Sequence, residues 1–190
     1  PFFGAIERNG RSLVNNPLLY QNGSYRMDFA DLEKKARDTS VRLAILCSPH
    51  NPVGRVWTEE ELTRFGKICL DNDVLVVSDE IHGDLVYKRG TFLPFGGLND
   101  GFSKNSIICT APSKTFNLAG LQTSNIIIHD EEIRNRFKAI LRSNGIFGIN
   151  PFGQAALEAA YNESEEWLEH LLDYLENNLK YMQAFAAKNL

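Results

Sequence analysis

Cysteine is scarce: Cys47, Cys69 and Cys109 are the only 3 in 190 residues. An odd number, set in apolar segments, does not suggest a disulfide framework and leads us to expect a reducing, cytoplasmic setting. No run of about 18 apolar residues occurs, so no stretch reads as a membrane-spanning helix, and no basic segment followed by an apolar core opens the chain. Positive charge is also in deficit, with Lys+Arg 20 against Asp+Glu 24, a net charge of −4 and a pI of about 5.6. Basic residues nowhere cluster among aromatics, which argues against a nucleic-acid partner. Internal repeats and low-complexity tracts are absent, and so is any G-x-x-x-x-G-K-[ST] loop that would cradle a nucleotide's phosphates. What remains is a chain 43% apolar and 11% aromatic, enough to bury the core of about one globular domain. It opens at Pro1 without a methionine and stops at Leu190 inside a helical pattern, from which we expect an internal piece of a longer polypeptide.

Strand and helix signals alternate along the first two thirds. Residues 11–28 suggest a hairpin-like excursion turning at Asn22-Gly23, where the backbone must take positive φ. Asp28 is placed to cap a helix carrying Phe29, Leu32 and Ala36 inward, and residues 41–47 (VRLAILC) form an apolar run of strand length. After the loop SPHNPVGRVW, Thr58 and Glu61 form a capping box for a helix to about Leu70, with Leu62, Phe65, Ile68 and Cys69 on one face. Residues 74–78 (VLVVS) read as a strand covered on both faces, which completes a βαβ unit. Further strands at 106–110 and 124–129 bracket the segment CTAPSKTFNLAG. The fold class expected is α/β, three layers (α/β/α) around a mostly parallel mixed sheet. Beyond residue 130 the pattern is helical, over 131–142, 151–161 and from Ser164 onward. The last helix sets Leu168, Leu171, Leu172, Leu175, Leu179 and Met182 on one stripe. That stripe is either a core-facing seam or a connection between domains, because about 25 helical residues extend nearly 40 Å.

In open α/β sheets ligands collect beyond the carboxyl ends of parallel strands. Three polar residues fall there in sequence: Asn51 after LAILC, Asp79 after VLVVS and Lys114 after SIICT. An amide, an acid and an amine at adjoining strand ends make a poor core, since a buried polar group without a partner costs a few kcal/mol. Separations of 28 and 35 residues each leave room for one crossover back to the same edge. Pyridoxal phosphate has matching needs: an amine for its aldehyde, a carboxylate for its ring nitrogen and donors for its phenolate oxygen. If the chain turns after Asp79, His82, three residues on, could reach that phenolate or support the carboxylate. Plainer readings stand beside these. Asn51-Pro52 also reads as a turn, and His82 as a local hydrogen-bonding residue. Asp79-Glu80 also resembles a magnesium-binding acid pair or a helix cap, although the phosphate loop such a hydrolase requires is missing. Cys47 and His50 have a spacing tolerable for a metal, but no second ligand pair follows, so no metal site is assigned. His129 and His170 read as surface residues.

Three stretches in order, SPHNPVGRVW, SDEIHGDLVY and APSKTFNLAG, resemble the cofactor motifs of fold-type I pyridoxal-phosphate enzymes, the class I/II aminotransferase family. Among these they are most similar to the bacterial cystathionine β-lyase or C-S lyase branch, and the resemblance extends to NPFGQAALEAAY and WLEHLLDYLENN. The resemblance implies that Lys114 is the Schiff-base lysine and general base, Asp79 the partner of the pyridine nitrogen and Asn51 a donor on the phenolate side. It places His82 where many aminotransferases use a tyrosine, and makes Ser113 a phosphate contact. Two positions depart from the family's phosphate-binding pattern: Ala111 stands where a serine is frequent, and Gln122 where an arginine is.

The implied activity is β-elimination from cystathionine or cysteine-type thioethers, giving a thiol, pyruvate and ammonia. The implied assembly is a homodimer acting on a small amino-acid substrate. Residues 1–162 would be the central part of a cofactor-binding large domain, and 163–190 a helix leading toward a small C-terminal domain. The glycine-rich phosphate loop and the arginine for the substrate carboxylate would lie outside this chain, which alone should be inactive. Amino transfer on the same scaffold, or a regulatory protein keeping fold and cofactor, are the alternatives.

Overall fold

The structure is a computed structural model that describes residues 2–88 and 90–189; Pro1 and Leu190, the chain ends noted above, lie outside the described residues. A first helix, α1 (Phe2–Arg8), precedes a small hairpin of β1 (Leu19–Gln21) and β2 (Ser24–Arg26), paired antiparallel. Its turn is Asn22-Gly23, with φ of 52° and 76° at the two residues, the left-handed backbone that a two-residue hairpin turn requires. Then come α2 (Phe29–Ala36), β3 (Leu43–Cys47), α3 (Glu59–Asp71) and β4 (Leu75–Asp79). They are followed by α4 (Asp100–Lys104), β5 (Ser106–Thr110), α5 (Pro112–Thr115) and β6 (Asn125–Ile128). Three helices close the chain: α6 (Glu131–Ser143), α7 (Pro151–Glu163) and α8 (Glu165–Asn189).

The main sheet has the order β3-β4-β5-β6, in which the first three strands run parallel and β6 antiparallel to β5. This is the expected α/β fold on a mostly parallel mixed sheet. Side-chain alternation divides the strands between two faces. Leu46, Val76 and Ile108 point to a buried face and meet Leu32 and Ala36 of α2 and Leu62, Phe65, Ile68 and Cys69 of α3. Ile45, Leu75, Val77, Ile107 and Cys109 lie on the other face, half-buried.

Local signals account for these elements. Asp28 caps α2 by accepting from the Asp31 N–H at 3.0 Å. In the capping box of α3 the Thr58 hydroxyl accepts from the Glu61 N–H at 3.2 Å, and Glu61 Oε2 accepts from the Thr58 N–H at 2.9 Å. β4 begins and ends one residue later than its apolar run, so Asp79 belongs to the strand itself. The hairpin occupies only the end of the 11–28 stretch. The short helices α1, α4 and α5 show no periodicity that a sequence reading detects.

Within this chain the stripe on α8 is only half-covered. Leu168, Leu171, Leu172, Leu175 and Leu179 are half-buried, Met182 is 67% exposed, and no described residue of the helix is buried. At 25 residues the helix outruns the body it packs on, so its far end, with Tyr181 and Phe185, stands exposed.

Aromatic rings fill the space between α3 and the sheet. Phe95 stacks on Phe102 with centroids 5.4 Å apart, and Phe65 meets Phe95 edge-on at 6.2 Å. Gly66 of α3 lets Phe102 approach, because a Cβ there would lie 2.7 Å from the Phe102 Cζ. Gly66→Ala gains about 1 kcal/mol of helix propensity, yet overpacking costs about 1–3 kcal/mol. We expect a lower denaturant midpoint for Gly66→Ala, partly restored by adding Phe102→Leu; an increase in the single variant would contradict this packing.

Candidate active site

β3, β4 and β5 run parallel, so the segments that follow them leave the sheet at one edge. Register fixes a row across that edge: Cys47 pairs with Asp79, and Asp79 pairs with Cys109. Asp79 is the last residue of the middle strand and half-buried. Its Oδ1 accepts from the Ile81 N–H at 3.2 Å, and its other oxygen has no protein partner among the described residues. Glu80 takes the opposite direction. It is 4% exposed, and its Oε1 accepts from the Ser78 hydroxyl and the Phe95 N–H, both at 2.9 Å. Burial, above all, pushes its carboxyl above the usual range, and Asp79 adds to the shift while those two donors oppose it. Asp79 and Glu80 are therefore not a joint metal-binding acid pair: period-two alternation sends one to each face.

The loop after β3 is strapped back onto the strand ends. The Ser48 N–H donates to the Asp79 carbonyl at 3.0 Å, the His50 N–H to the Arg55 carbonyl at 2.8 Å, and Trp57 Nε1 to the Cys47 carbonyl at 2.9 Å. The Cys47 thiol donates to the Pro49 carbonyl at 3.4 Å, and the His50 ring lies edge-on to Trp57 at 5.5 Å. Cys47 and His50 are thus used in holding the loop, while the Asn51 carboxamide is left exposed. Burial pushes the Cys47 thiol up. It also raises Cys109, with help from Asp79 and Glu80, to about 11, so both cysteines beside Asp79 stay as neutral thiols.

Lys114 sits in α5, one turn opening directly after β5. Ala111 and Pro112 are buried, proline fits the first helical position because no N–H is needed there, and Thr115 is fully buried. Lys114, between them, is exposed and has no ion-pair partner among the described residues. Ser113 is half-buried in the same turn. His82 is half-buried in the turn after Asp79, where the Gly83 N–H reaches the Glu80 carbonyl at 2.8 Å and the Leu85 N–H the His82 carbonyl at 3.0 Å.

Sheet topology thus delivers all five sequence-predicted residues, Asn51, Asp79, His82, Ser113 and Lys114, to segments leaving one sheet edge. One contact between these segments was not foreseen: Thr115 Oγ1 donates to Asp84 Oδ2 at 2.8 Å, tying the lysine turn to the 80–84 turn. Nothing in the sequence pairs two residues 31 positions apart. The inward role of Glu80, by contrast, follows from strand alternation once β4 is known to include Asp79. Gln122, exposed at φ 50°, closes the short turn Ala119–Leu121.

The sequence model of the aminotransferase class I and II family matches residues 4–187. The chain is 49% identical over its whole length to cystathionine beta-lyase PatB of Bacillus subtilis (strain 168), of which it covers 49%. Its structure superposes with a TM-score of 0.94 on cystalysin from Treponema denticola, which contains a pyridoxal 5'-phosphate cofactor; identity is 37%, with 97% of this chain and 47% of that one covered. The pyridoxal-phosphate-bound C-S lyase from Staphylococcus hominis gives a TM-score of 0.90 at 38% identity, with 98% and 48% covered. The chain spans about half the length of the relatives it matches.

The Glu80 carboxyl supplies a prediction. A carboxyl raised on folding favours the fold fully below its unfolded value, near the ordinary 4.5, and loses that contribution as pH rises through its raised folded value. Glu80→Gln keeps an oxygen acceptor without the charge. Urea midpoints followed from acid to neutral pH should move in favour of the Gln variant as pH rises above 4.5; parallel curves would refute the assigned burial cost.

Proposed function

The chain belongs to the aminotransferase class I and II family, and from that premise we propose that the whole protein is a pyridoxal-phosphate-dependent C-S β-lyase. Its substrates would be cystathionine or cysteine-type thioethers, and its products a thiol, pyruvate and ammonia. One observation supports this most: an acid and an amine, Asp79 and Lys114, leave adjacent parallel strands at one edge, and no protein ion pair holds either among the described residues. A half-buried carboxyl with one oxygen unmet by protein, at the same sheet edge as an unpaired amine, suits a ligand carrying a basic nitrogen and a carbonyl.

The donor set fits the cofactor. When bound, pyridoxal phosphate supplies an electron-withdrawing protonated ring that takes up the electron pair left at the substrate's α-carbon. Lys114 would hold the cofactor through its Nζ and would serve as the base for the substrate's α-proton. Asp79 would be the carboxyl partner of the ring nitrogen. Asn51 offers its amide N–H to the phenolate oxygen, His82 an imidazole on the same side and Ser113 a hydroxyl to the phosphate. The lyase reading, rather than amino transfer, is supported by the names of the relatives above and by Gln122, which stands where the family's transferases often place arginine. We further propose that residues 1–162 belong to the cofactor-binding large domain and that α8 leads to a smaller one. The assembly would be a cytoplasmic homodimer, and the 190 residues alone would be inactive. Among the described residues no helix is long and apolar enough to cross a membrane.

The test uses the full-length protein with pyridoxal phosphate and cystathionine. Borohydride reduction should trap the cofactor on the Lys114 peptide, and pyruvate should form without any added 2-oxo acid. Lys114→Ala should abolish trapping and elimination. Asp79→Asn should keep trapping while slowing elimination about a hundredfold or more. Cofactor trapped on another lysine would refute the site, and a strict need for a 2-oxo acid would refute the lyase reading in favour of amino transfer.

A further inference from the structure

α5 is too short to stand by itself. Its four residues are closed by the Phe116 N–H to the Pro112 carbonyl at 2.9 Å and the Leu118 N–H to the Ser113 carbonyl at 3.1 Å, and a single turn is well below the length at which a helix persists unaided. Two tethers hold it. Phe116 lies against Tyr161 of α7 at 5.5 Å and Trp167 of α8 at 5.9 Å. On the other side the Thr115 hydroxyl, with the residue 0% exposed, donates to Asp84 Oδ2 at 2.8 Å. A threonine in a helix commonly turns its hydroxyl back on the preceding turn's carbonyl; here it reaches a carboxylate in a different loop.

Asp84 ends the turn that begins at Asp79 and is itself fixed there by the Ile81 N–H to Asp79 Oδ1 and the Gly83 N–H to the Glu80 carbonyl. The hydroxyl next to the lysine is therefore bonded to the loop that carries the acid. Tyr161 faces the same carboxylate: its hydroxyl is pushed up by burial first and by Asp84 second. No lysine or arginine pairs with Asp84 among the described residues, so its one hydrogen bond is the charge-assisted one to Thr115.

We propose that Thr115 and Asp84 are positioning residues: their hydrogen bond holds the turn carrying Lys114 against the loop carrying Asp79, and so fixes where the lysine amine stands at the sheet edge. The proposal rests on the reading of Lys114 as the cofactor-bonding amine. Neither residue needs to touch the cofactor. Their effect falls on how readily the Nζ reaches the aldehyde, since bond formation between held groups is sensitive to misplacements of well under an ångström.

The experiment measures two equilibria in full-length protein with pyridoxal 5'-phosphate. One is covalent attachment, from visible absorbance and borohydride trapping at Lys114. The other is non-covalent affinity in a Lys114→Ala background, from fluorescence quenching. Thr115→Val should lower the attachment constant about tenfold, the worth of one charge-assisted hydrogen bond, and leave the affinity in the Lys114→Ala background unchanged. Thr115→Ser should restore attachment. Asp84→Asn, at an exposed position where folding is not at stake, should fall between, and melting curves report whether Thr115→Val is folded. Equal losses in both backgrounds would reduce the pair to a structural contact and overturn the proposal, as would wild-type attachment in both Thr115→Val and Asp84→Asn. Absence of any attachment at Lys114 in the unsubstituted protein would instead overturn the premise.

Discussion

The parallel ladder that sets Cys47, Asp79 and Cys109 side by side is what the rest of the sheet edge depends on. Parallel strands need a crossover for each return, and each crossover here brings the chain back so that the next polar segment starts at the same edge. The carboxyl ending the middle parallel strand is then flanked by two neutral thiols and half-buried, with one oxygen that meets no protein donor among the described residues. Had β4 been antiparallel to either neighbour, its carboxyl end would face the opposite edge, and the acid and the amine would sit a strand length apart.

Around that ladder the polar groups divide by the work they do. Glu80, Thr58, Asp28 and Trp57 satisfy backbone or core partners and stabilise the frame. Asn51, Asp79 and Lys114 project from well-fixed backbone with side chains left mostly unpaired among the described residues. Buried neighbours explain how an exposed lysine can still be well placed: Ala111, Pro112 and Thr115 anchor its turn from below.

Much of this was legible in the sequence because it is local. The capping box at Thr58 and Glu61, the Asp28 cap and the positive-φ turn at Asn22-Gly23 involve residues within a few positions of one another, and each is found where the spacing puts it. The apolar runs at β3, β4 and β5 needed only length and β-branching to be recognised. The reading left alternatives open where burial depends on partners. A leucine stripe on α8 looks the same whether it seals a core or lies half-covered along an overhanging helix, and periodicity carries no information about what covers it.

By itself the sequence determined the alternation of strands and helices and the candidate residues Asn51, Asp79, His82, Ser113 and Lys114, because hydrophobic period, caps and motif order are properties of short segments. Only the tertiary structure decided the strand order β3-β4-β5-β6, the antiparallel sense of β6, the inward turn of Glu80 and the bond from Thr115 to Asp84. Those are fixed by which surfaces meet across tens of residues, a matter of packing free energy over the whole sheet that no local pattern encodes.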